Sequence, residues 1–153
     1  MSDFIQLEDW TVGLLEKFTP AQRRKLTQQW ARTLRQSQQK RIQQQLNPDG
    51  SPYEARKPQK RDKKGRVKRK MFRKIRTARY LKTKAAPDMA EVSFSNSRIE
   101  RIAATHQYGL REKLGKRGPV VRYPQRQLLG ITDINMNSFS DKMMNYLLDE
   151  LTQ

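Results

Sequence analysis

The residues TPAQRRKLTQQWARTLRQSQQKRIQQQLNPDGSP, numbered 19–52, combine one long uninterrupted helical pattern with the turn that ends it. Thr19 is suited to cap the free backbone N–H groups at a helix start. Pro20 fits the first helical position, because an N–H there would make no helical bond. No further Gly or Pro occurs before Pro48, where turn-forming residues cluster. We therefore predict a helix over residues 20–46, about 40 Å long at ~1.5 Å per residue.

The second half of this helix is unusually polar. Residues 36–45 are nearly all Gln, Lys, Arg and Ser, and two interpretations stay open: a solvated helix end, or a projecting arm that contacts a neighbouring subunit. Hydrophobic residues make up 35% of the whole chain, below the ~45–50% of an average globular protein. A sizeable part of the chain is therefore expected to be solvated, or to be buried only against partners.

Helical and alternating apolar spacing predicts the remaining elements. In chain order, the predicted elements are N-terminal helices 4–46 (a short helix 4–17 and the long one), a helix from near residue 67 or 69 to Pro87, a strand 89–94, a helix or strand 99–106, a loop 110–119, a strand 120–123, a helical turn or strand 126–131, and a C-terminal helix 133–151. This order predicts an α+β fold in a single domain over residues 1–153. Long N-terminal helices and a C-terminal helix would pack on a small antiparallel sheet within residues 88–131, with a long basic loop.

The apolar side chains of these elements are expected to form one core. Truncating Trp30 or Phe72 to Ala is expected to cost ~3–5 kcal/mol if the site is fully buried. The predicted core members are Trp30, Leu34, Phe72, Ile75, Phe94, Leu128, Leu129, Phe139 and Met143.

The charge of the chain is concentrated in one segment. The net charge is +18, with 33 Lys and Arg against 15 Asp and Glu. Residues 56–84 hold 16 of the basic residues and one acid, a net charge of +15, whereas the rest of the chain holds 17 basic and 14 acidic residues, a net charge of +3. Such a segment attracts polyanions: nucleic acid, anionic lipid or an acidic protein surface.

Three interpretations of this basic segment stay open. It is a solvated loop without a specific partner, an arm that folds against other proteins on assembly, or a site of direct contact with nucleic acid phosphates. Residues 53–69 hold almost no apolar side chain, which predicts a mobile loop in the free protein. The basic side chains expected to bind a polyanion or a partner are Arg56, Lys57, Lys60, Arg61, Lys63, Lys64, Arg66, Lys68, Arg69, Lys70, Arg73, Lys74 and Arg76.

The sequence offers no catalytic, cofactor or metal site. There is no Cys and a single His, His106, so neither a thiolate or two-histidine zinc site nor a cysteine nucleophile can be built. The acids are scattered, and no Gly-rich phosphate loop occurs. No apolar run approaches the ~20 residues of a membrane span. We therefore predict a protein of the cytoplasm, or of an assembly built there, that is not an enzyme and uses no cofactor, membrane or small-molecule substrate.

Four short motifs carry a family resemblance. They are NPDGSPY at 47–53, MFRKIR at 71–76, RIAATHQYGL at 101–110 and YPQRQLLGI at 123–131. Each is weak alone, but the four occur in order with compatible spacing. Together they resemble the phage virion morphogenesis family, whose members are also called tail completion proteins and serve contractile-tailed phages. The resemblance spans residues 20–150, and the family commonly has Ala at the place of Gln125.

The resemblance implies a structural role late in virion assembly. Such a protein completes the head-proximal end of the tail and helps to join the tail to the filled head. It is located in the virion tail or neck, after a stage in the host cytoplasm. Its implied partners are other tail and neck proteins and further copies of itself in a ring, with six-fold symmetry favoured. Contact with the packaged DNA stays open.

Two further function classes compete with this role. The runner-up is a nucleic-acid-binding protein acting through residues 56–84. An enzyme such as a nuclease or muramidase is disfavoured, because this chain lacks the acidic and metal-binding residues that such an enzyme needs. The family has no catalytic residues to transfer. Within its motifs, four side chains either define a corner of the fold or contact a neighbouring subunit: His106, Gln107, Tyr108 and Arg126.

Overall fold

The computed structural model describes residues 17–57 and 70–152, and this part contains three helices and two small antiparallel sheets. The predicted α+β class is confirmed. Residues 4–16 of the first predicted helix, and residues 58–69 of the predicted basic loop, lie outside the described residues. The elements are α1 Pro20–Gln43, β1 Leu81–Ala86, β2 Met89–Phe94, α2 Ser97–Tyr108, β3 Arg111–Lys113, β4 Val120–Arg122 and α3 Asp133–Leu151.

Helix α1 begins where the sequence predicts. The Thr19 hydroxyl accepts from the Gln22 backbone N–H at 3.2 Å, and the Gln22 side chain accepts from the Thr19 N–H at 2.9 Å, which satisfies two otherwise free donors. The helix ends at Gln43, three residues before its predicted end. Gln45 then takes the left-handed conformation, with φ at 61°, that usually favours Gly. Its side-chain amide donates to the Ile42 carbonyl at 2.7 Å, which satisfies one of the last helical carbonyls.

Strands β1 and β2 form a hairpin that packs against α1. Leu81 pairs with Phe94 and Ala86 with Met89 across the hairpin, so the predicted strand 89–94 is confirmed. The Thr27 hydroxyl of α1 donates to the Ala86 carbonyl at 2.7 Å and fixes one end of the hairpin to the helix.

The predicted helix from residue 67 or 69 to Pro87 is wrong over its described part. Residues 71–80 form successive turns, and β1 follows them. Phe72 has φ at 64°, a conformation that a right-handed helix excludes. The backbone of Met71 pairs instead with the Gln45 side chain, whose Oε1 accepts from the Met71 N–H at 2.9 Å and whose Nε2 donates to the Met71 carbonyl at 3.0 Å.

The C-terminal half contains two further corrections. The alternatives for residues 99–106 resolve as helix α2, which ends at Gly109 with φ at 62°. The loop predicted over 110–119 is wrong in its first part, because β3 pairs with β4 there. Residues 126–131 form neither of the predicted alternatives, whereas the final helix is confirmed as α3.

The core lies between α1, the β1–β2 hairpin, α2 and residues 123–130. Of the predicted members, Ile75, Phe94, Leu128 and Met143 are buried. The predicted buried faces of the helices and strands therefore included side chains that are only partly buried. These are Trp30, Leu34, Phe72, Leu129 and Phe139. The central cluster is Ile42, Tyr53, Ile75, Leu81, Phe94, Ala103 and Leu128.

Candidate functional site

Residues 123–130 have no regular secondary structure and are held by side chains from elsewhere in the chain; we call them the clamped segment. Arg41 of α1, 8% exposed, lies beside this segment. Its guanidinium donates to the carbonyls of Gln127 at 3.0 Å, Leu128 at 2.9 Å and Leu46 at 3.1 Å, and also to the side chain of Gln38. Burial lowers the pKa of Arg41 below its usual value. One buried cation therefore satisfies four oxygen acceptors.

Two glutamines pair with the clamped segment as a neighbouring strand would. Gln38 Nε2 donates to the Gly130 carbonyl at 2.8 Å, and its Oε1 accepts from the Gly130 N–H at 3.1 Å. Gln107 Nε2 donates to the Leu129 carbonyl at 2.9 Å, and its Oε1 accepts from the N–H groups of Leu128 at 2.8 Å and Leu129 at 2.9 Å. Buried backbone groups need such partners, so these amides replace the hydrogen bonds that a sheet would supply.

The NPDGSPY turn also contacts the clamped segment. Asn47 Oδ1 accepts from the Gln127 N–H at 2.9 Å, and the Tyr53 hydroxyl donates to the Gln127 carbonyl at 3.0 Å. Burial raises the pKa of Tyr53 to about 12. The Pro48 ring lies so close to Gly130 that a Cβ there would sit 2.3 Å from Pro48 Cγ. The turn and the clamped segment are thus fitted to each other.

Four rings lie in contact beside the NPDGSPY turn and the clamped segment: Tyr53, Phe72, His106 and Tyr123. We call them the aromatic row. Ring centroids are 5.8 Å apart for Tyr53 and Phe72, 4.8 Å for Phe72 and His106, and 5.1 Å for His106 and Tyr123. Burial, with the positive charge of Arg126, lowers the pKa of His106 to about 4. The imidazole is therefore neutral near pH 7, and it packs edge to face in the row.

The structure places the four predicted interface side chains in different surroundings. His106 lies in the aromatic row and Gln107 pairs with the clamped segment. Arg126, 4% exposed, donates to the carbonyls of Glu54 at 2.8 Å and Ala55 at 3.3 Å. Tyr108 is 68% exposed. Three of the four are thus engaged within the chain, and Tyr108 is directed outward.

The described members of the predicted basic set precede residue 58 or follow residue 69 in the chain. Lys70 donates to the Gln43 carbonyl at the end of α1, at 3.1 Å. The described members of the predicted set are Arg56, Lys57, Lys70, Arg73, Lys74 and Arg76. The others lie outside the described residues: Lys60, Arg61, Lys63, Lys64, Arg66, Lys68 and Arg69.

Large apolar side chains are exposed around the β3–β4 hairpin. We call this set, Tyr108, Leu110, Leu114 and Val120, the hairpin surface; Val120 is 63% exposed. The Arg101–Glu112 ion pair, at 2.7 Å, ties the hairpin to α2. Val120 lies on the hairpin face of its cross-strand partner Lys113. Each of these exposed apolar side chains is a candidate for contact with another protein.

Residues 17–57 and 70–152 hold no group of three His, Asp or Glu side chains placed to bind a metal ion. None of the helices in this part of the chain is long and apolar enough to span a membrane.

The comparisons with known proteins agree with the motifs at this junction. The sequence model of the phage virion morphogenesis family matches residues 2–148. The chain belongs to this family. Tail completion protein S of Escherichia phage P2 is 42% identical to it over 148 residues, which covers 96% of this chain and 99% of that protein. No solved structure shows a significant match.

The four motifs of this family member meet at the clamped segment. NPDGSPY and RIAATHQYGL contact it through Asn47, Tyr53 and Gln107, while MFRKIR contributes Phe72 to the aromatic row. Sequence reasoning missed Gln38 and Arg41. Their signal was helical spacing: positions 38, 41 and 42 fall on one face of α1, although two of them are polar.

Proposed function

We propose that this chain is a structural virion protein that completes the head-proximal end of a phage tail and helps to join the tail to the filled head. The observation that carries the proposal is the 42% identity, over nearly the full length of both chains, to a tail completion protein. A role in phage tail assembly follows from that likeness and from the family. The head-joining step, the stage in the host cytoplasm and the location at the tail or neck of the virion are parts of the proposal.

The exposed surfaces support a function exercised through protein contacts. The hairpin surface presents Tyr108 and Val120 to solvent, and Ile134 at the start of α3 is 80% exposed. Large apolar groups left in water are stabilised when a partner covers them. The proposed partners are other tail and neck proteins and further copies of this chain in a ring, for which six-fold symmetry is favoured. No catalytic step is part of this role.

Nucleic-acid binding through residues 56–84 is the alternative main function, and the net charge of +15 in that segment favours it. In the described residues, the turns 71–80 carry four of the 16 basic side chains of this segment, without a helix suited to enter a DNA groove. A purely DNA-binding role also leaves the exposed apolar hairpin surface without a use. The structural role accounts for the hairpin surface.

Removal of the chain from the phage that encodes it should block the last step of virion assembly. Lysates of a deletion mutant are expected to contain filled heads and separate full-length tails by electron microscopy, with a loss of infectious particles of several orders of magnitude. Supplying the wild-type chain in trans should restore joined particles. Normal numbers of joined, infectious virions in the deletion mutant would contradict the proposed function.

The hairpin surface can be tested in the same experiment. The double variant Tyr108→Ser, Val120→Ser should fold normally, since both side chains are exposed, yet fail to restore joined particles. Its matched control is Gln28→Ser, Gln29→Ser on the exposed face of α1, which should restore them. Equal restoration by both variants would remove the hairpin surface from the proposed contacts.

A further inference from the structure

An open groove lies beside the turns of residues 70–80. Its volume is 900 Å³, and its lining includes six basic side chains and no acidic one: Arg56, Lys70, Arg73, Lys74, Arg76 and Arg79. This space far exceeds the size of a single small anion. The groove has room for an extended anionic surface, and its lining is cationic.

The backbone of the turns that carry most of these cations is held in place by contacts with the rest of the fold. Between them, Met71 pairs with Gln45, the Phe72 ring packs between Tyr53 and His106, and Ile75 is buried in the core. Successive turn hydrogen bonds continue this order, including Arg76 N–H to the Phe72 carbonyl at 3.2 Å and Leu81 N–H to the Thr77 carbonyl at 2.8 Å. The cationic side chains therefore project from a set geometry, which lowers the entropic cost of binding.

No acidic side chain in the described part of the chain neutralises this groove. Across residues 17–57 and 70–152 the structure contains one ion pair, Arg101–Glu112, and neither residue lines the groove. Arg73, Lys74 and Arg79 are exposed and bring their full charge to the surface. Six cations around one groove, with no ion pair among the described residues that involves them, produce a positive local potential.

We infer that this groove binds double-stranded DNA through its phosphate backbone, without reading sequence. Duplex DNA carries one negative charge per ~1.7 Å of its axis, a density that matches closely spaced cations. Four of the six lining cations are Arg, whose planar fork suits phosphate oxygens. The aromatic rings nearby are already used: Phe72 packs in the aromatic row and Arg79 lies over the Tyr80 ring at 5.6 Å. This leaves phosphate contact, rather than base stacking, as the mode of binding.

The inference is independent of the tail role and is tested on the purified full-length chain. Binding of a random-sequence duplex is measured by fluorescence anisotropy from ~50 to ~200 mM salt. The groove variant is Arg73→Gln, Lys74→Gln, Arg79→Gln, which changes three exposed side chains. The matched control, Arg111→Gln, Lys116→Gln, Arg117→Gln, removes the same charges from the exposed β3–β4 hairpin.

The wild-type chain should bind with an affinity that falls steeply as salt rises. The groove variant should bind at least ~10-fold more weakly at low salt, with a log–log salt slope shallower by about 2–3, because each lost phosphate contact removes ~0.9 from the slope. The control variant should stay close to wild type. Equal losses in both variants, or no duplex binding by wild type, would overturn the inference. So would tighter binding of polyglutamate than of the duplex at equal charge concentration, which would make the groove a site for acidic protein.

Discussion

Replacing Arg41 with Met should lower the free energy of unfolding by about 3–5 kcal/mol, the cost expected when a buried, hydrogen-bonded cation is removed from its partners. The guanidinium donates to three backbone carbonyls, two of them in the clamped segment. Met fills similar space but donates no hydrogen bond. The Leu46 and Leu128 carbonyls therefore lose the Arg41 hydrogen bond in a place where little water can replace it, while the Gln127 carbonyl keeps the Tyr53 hydroxyl.

Urea unfolding of the purified protein measures this loss. The matched control is Arg32→Met, at an exposed position on the same helix, which should change stability by less than ~0.5 kcal/mol. Arg41→Lys should also be strongly destabilising, because a single ammonium group cannot reach carbonyls that the guanidinium fork contacts from two nitrogens. Similar stabilities for Arg41→Met and Arg32→Met would show that the clamped segment does not depend on Arg41.

Replacing Gln107 with Met should lower the free energy of unfolding by about 2–4 kcal/mol, since unpaired buried backbone groups cost ~1–3 kcal/mol each. The variant loses three hydrogen bonds, to the N–H groups of Leu128 and Leu129 and to the Leu129 carbonyl. Met keeps the length and flexibility of the side chain, so the change isolates the amide.

Hydrogen exchange distinguishes this effect from a general loss of packing. Hydrogen exchange at the Leu128 and Leu129 amides should become much faster in Gln107→Met, because the acceptor of both N–H groups is gone. Gln28→Met, at an exposed position of α1, serves as the control and should leave both stability and exchange unchanged. Unchanged protection of the two amides in Gln107→Met would contradict the pairing described for this residue.

Local signals made several elements predictable from sequence. Thr19 and Pro20 fixed the start of α1, the turn residues beginning at Asn47 fixed its approximate end, and alternation over 89–94 gave β2. Each of these depends on neighbours within a few residues. The final helix was predictable for the same reason: its apolar spacing is regular, and Thr132 caps its first turn.

The turns of residues 71–80 were not predictable because distant groups decide them. Apolar spacing there fits a helix, and no Gly or Pro interrupts it. The competing interactions are the pairing of Met71 with Gln45, 26 residues earlier, and the packing of Phe72 against His106. Such tertiary contacts override the local helix propensity, and the sequence of the segment itself does not indicate them.

The burial of polar side chains near the end of α1 was not predictable for a related reason. Residues 36–45 were interpreted as a solvated helix end or an arm, because Gln and Arg are usually exposed. Gln38, Arg41 and Ile42 are instead buried against the clamped segment and the core, so the solvated-end interpretation is wrong for this face. Their partners at residues 127–130 are more than 80 positions away. Polar side chains that bond backbone also help to explain how a chain with 35% hydrophobic residues is ordered here.

The most direct test of the proposed role is a density map of the intact virion of the phage that encodes this chain. We expect a ring of copies at the head-proximal end of the tail, with six copies favoured. The hairpin surface should be covered by a neighbouring protein. A map that resolves the whole head–tail junction and contains no density for this chain would contradict the account.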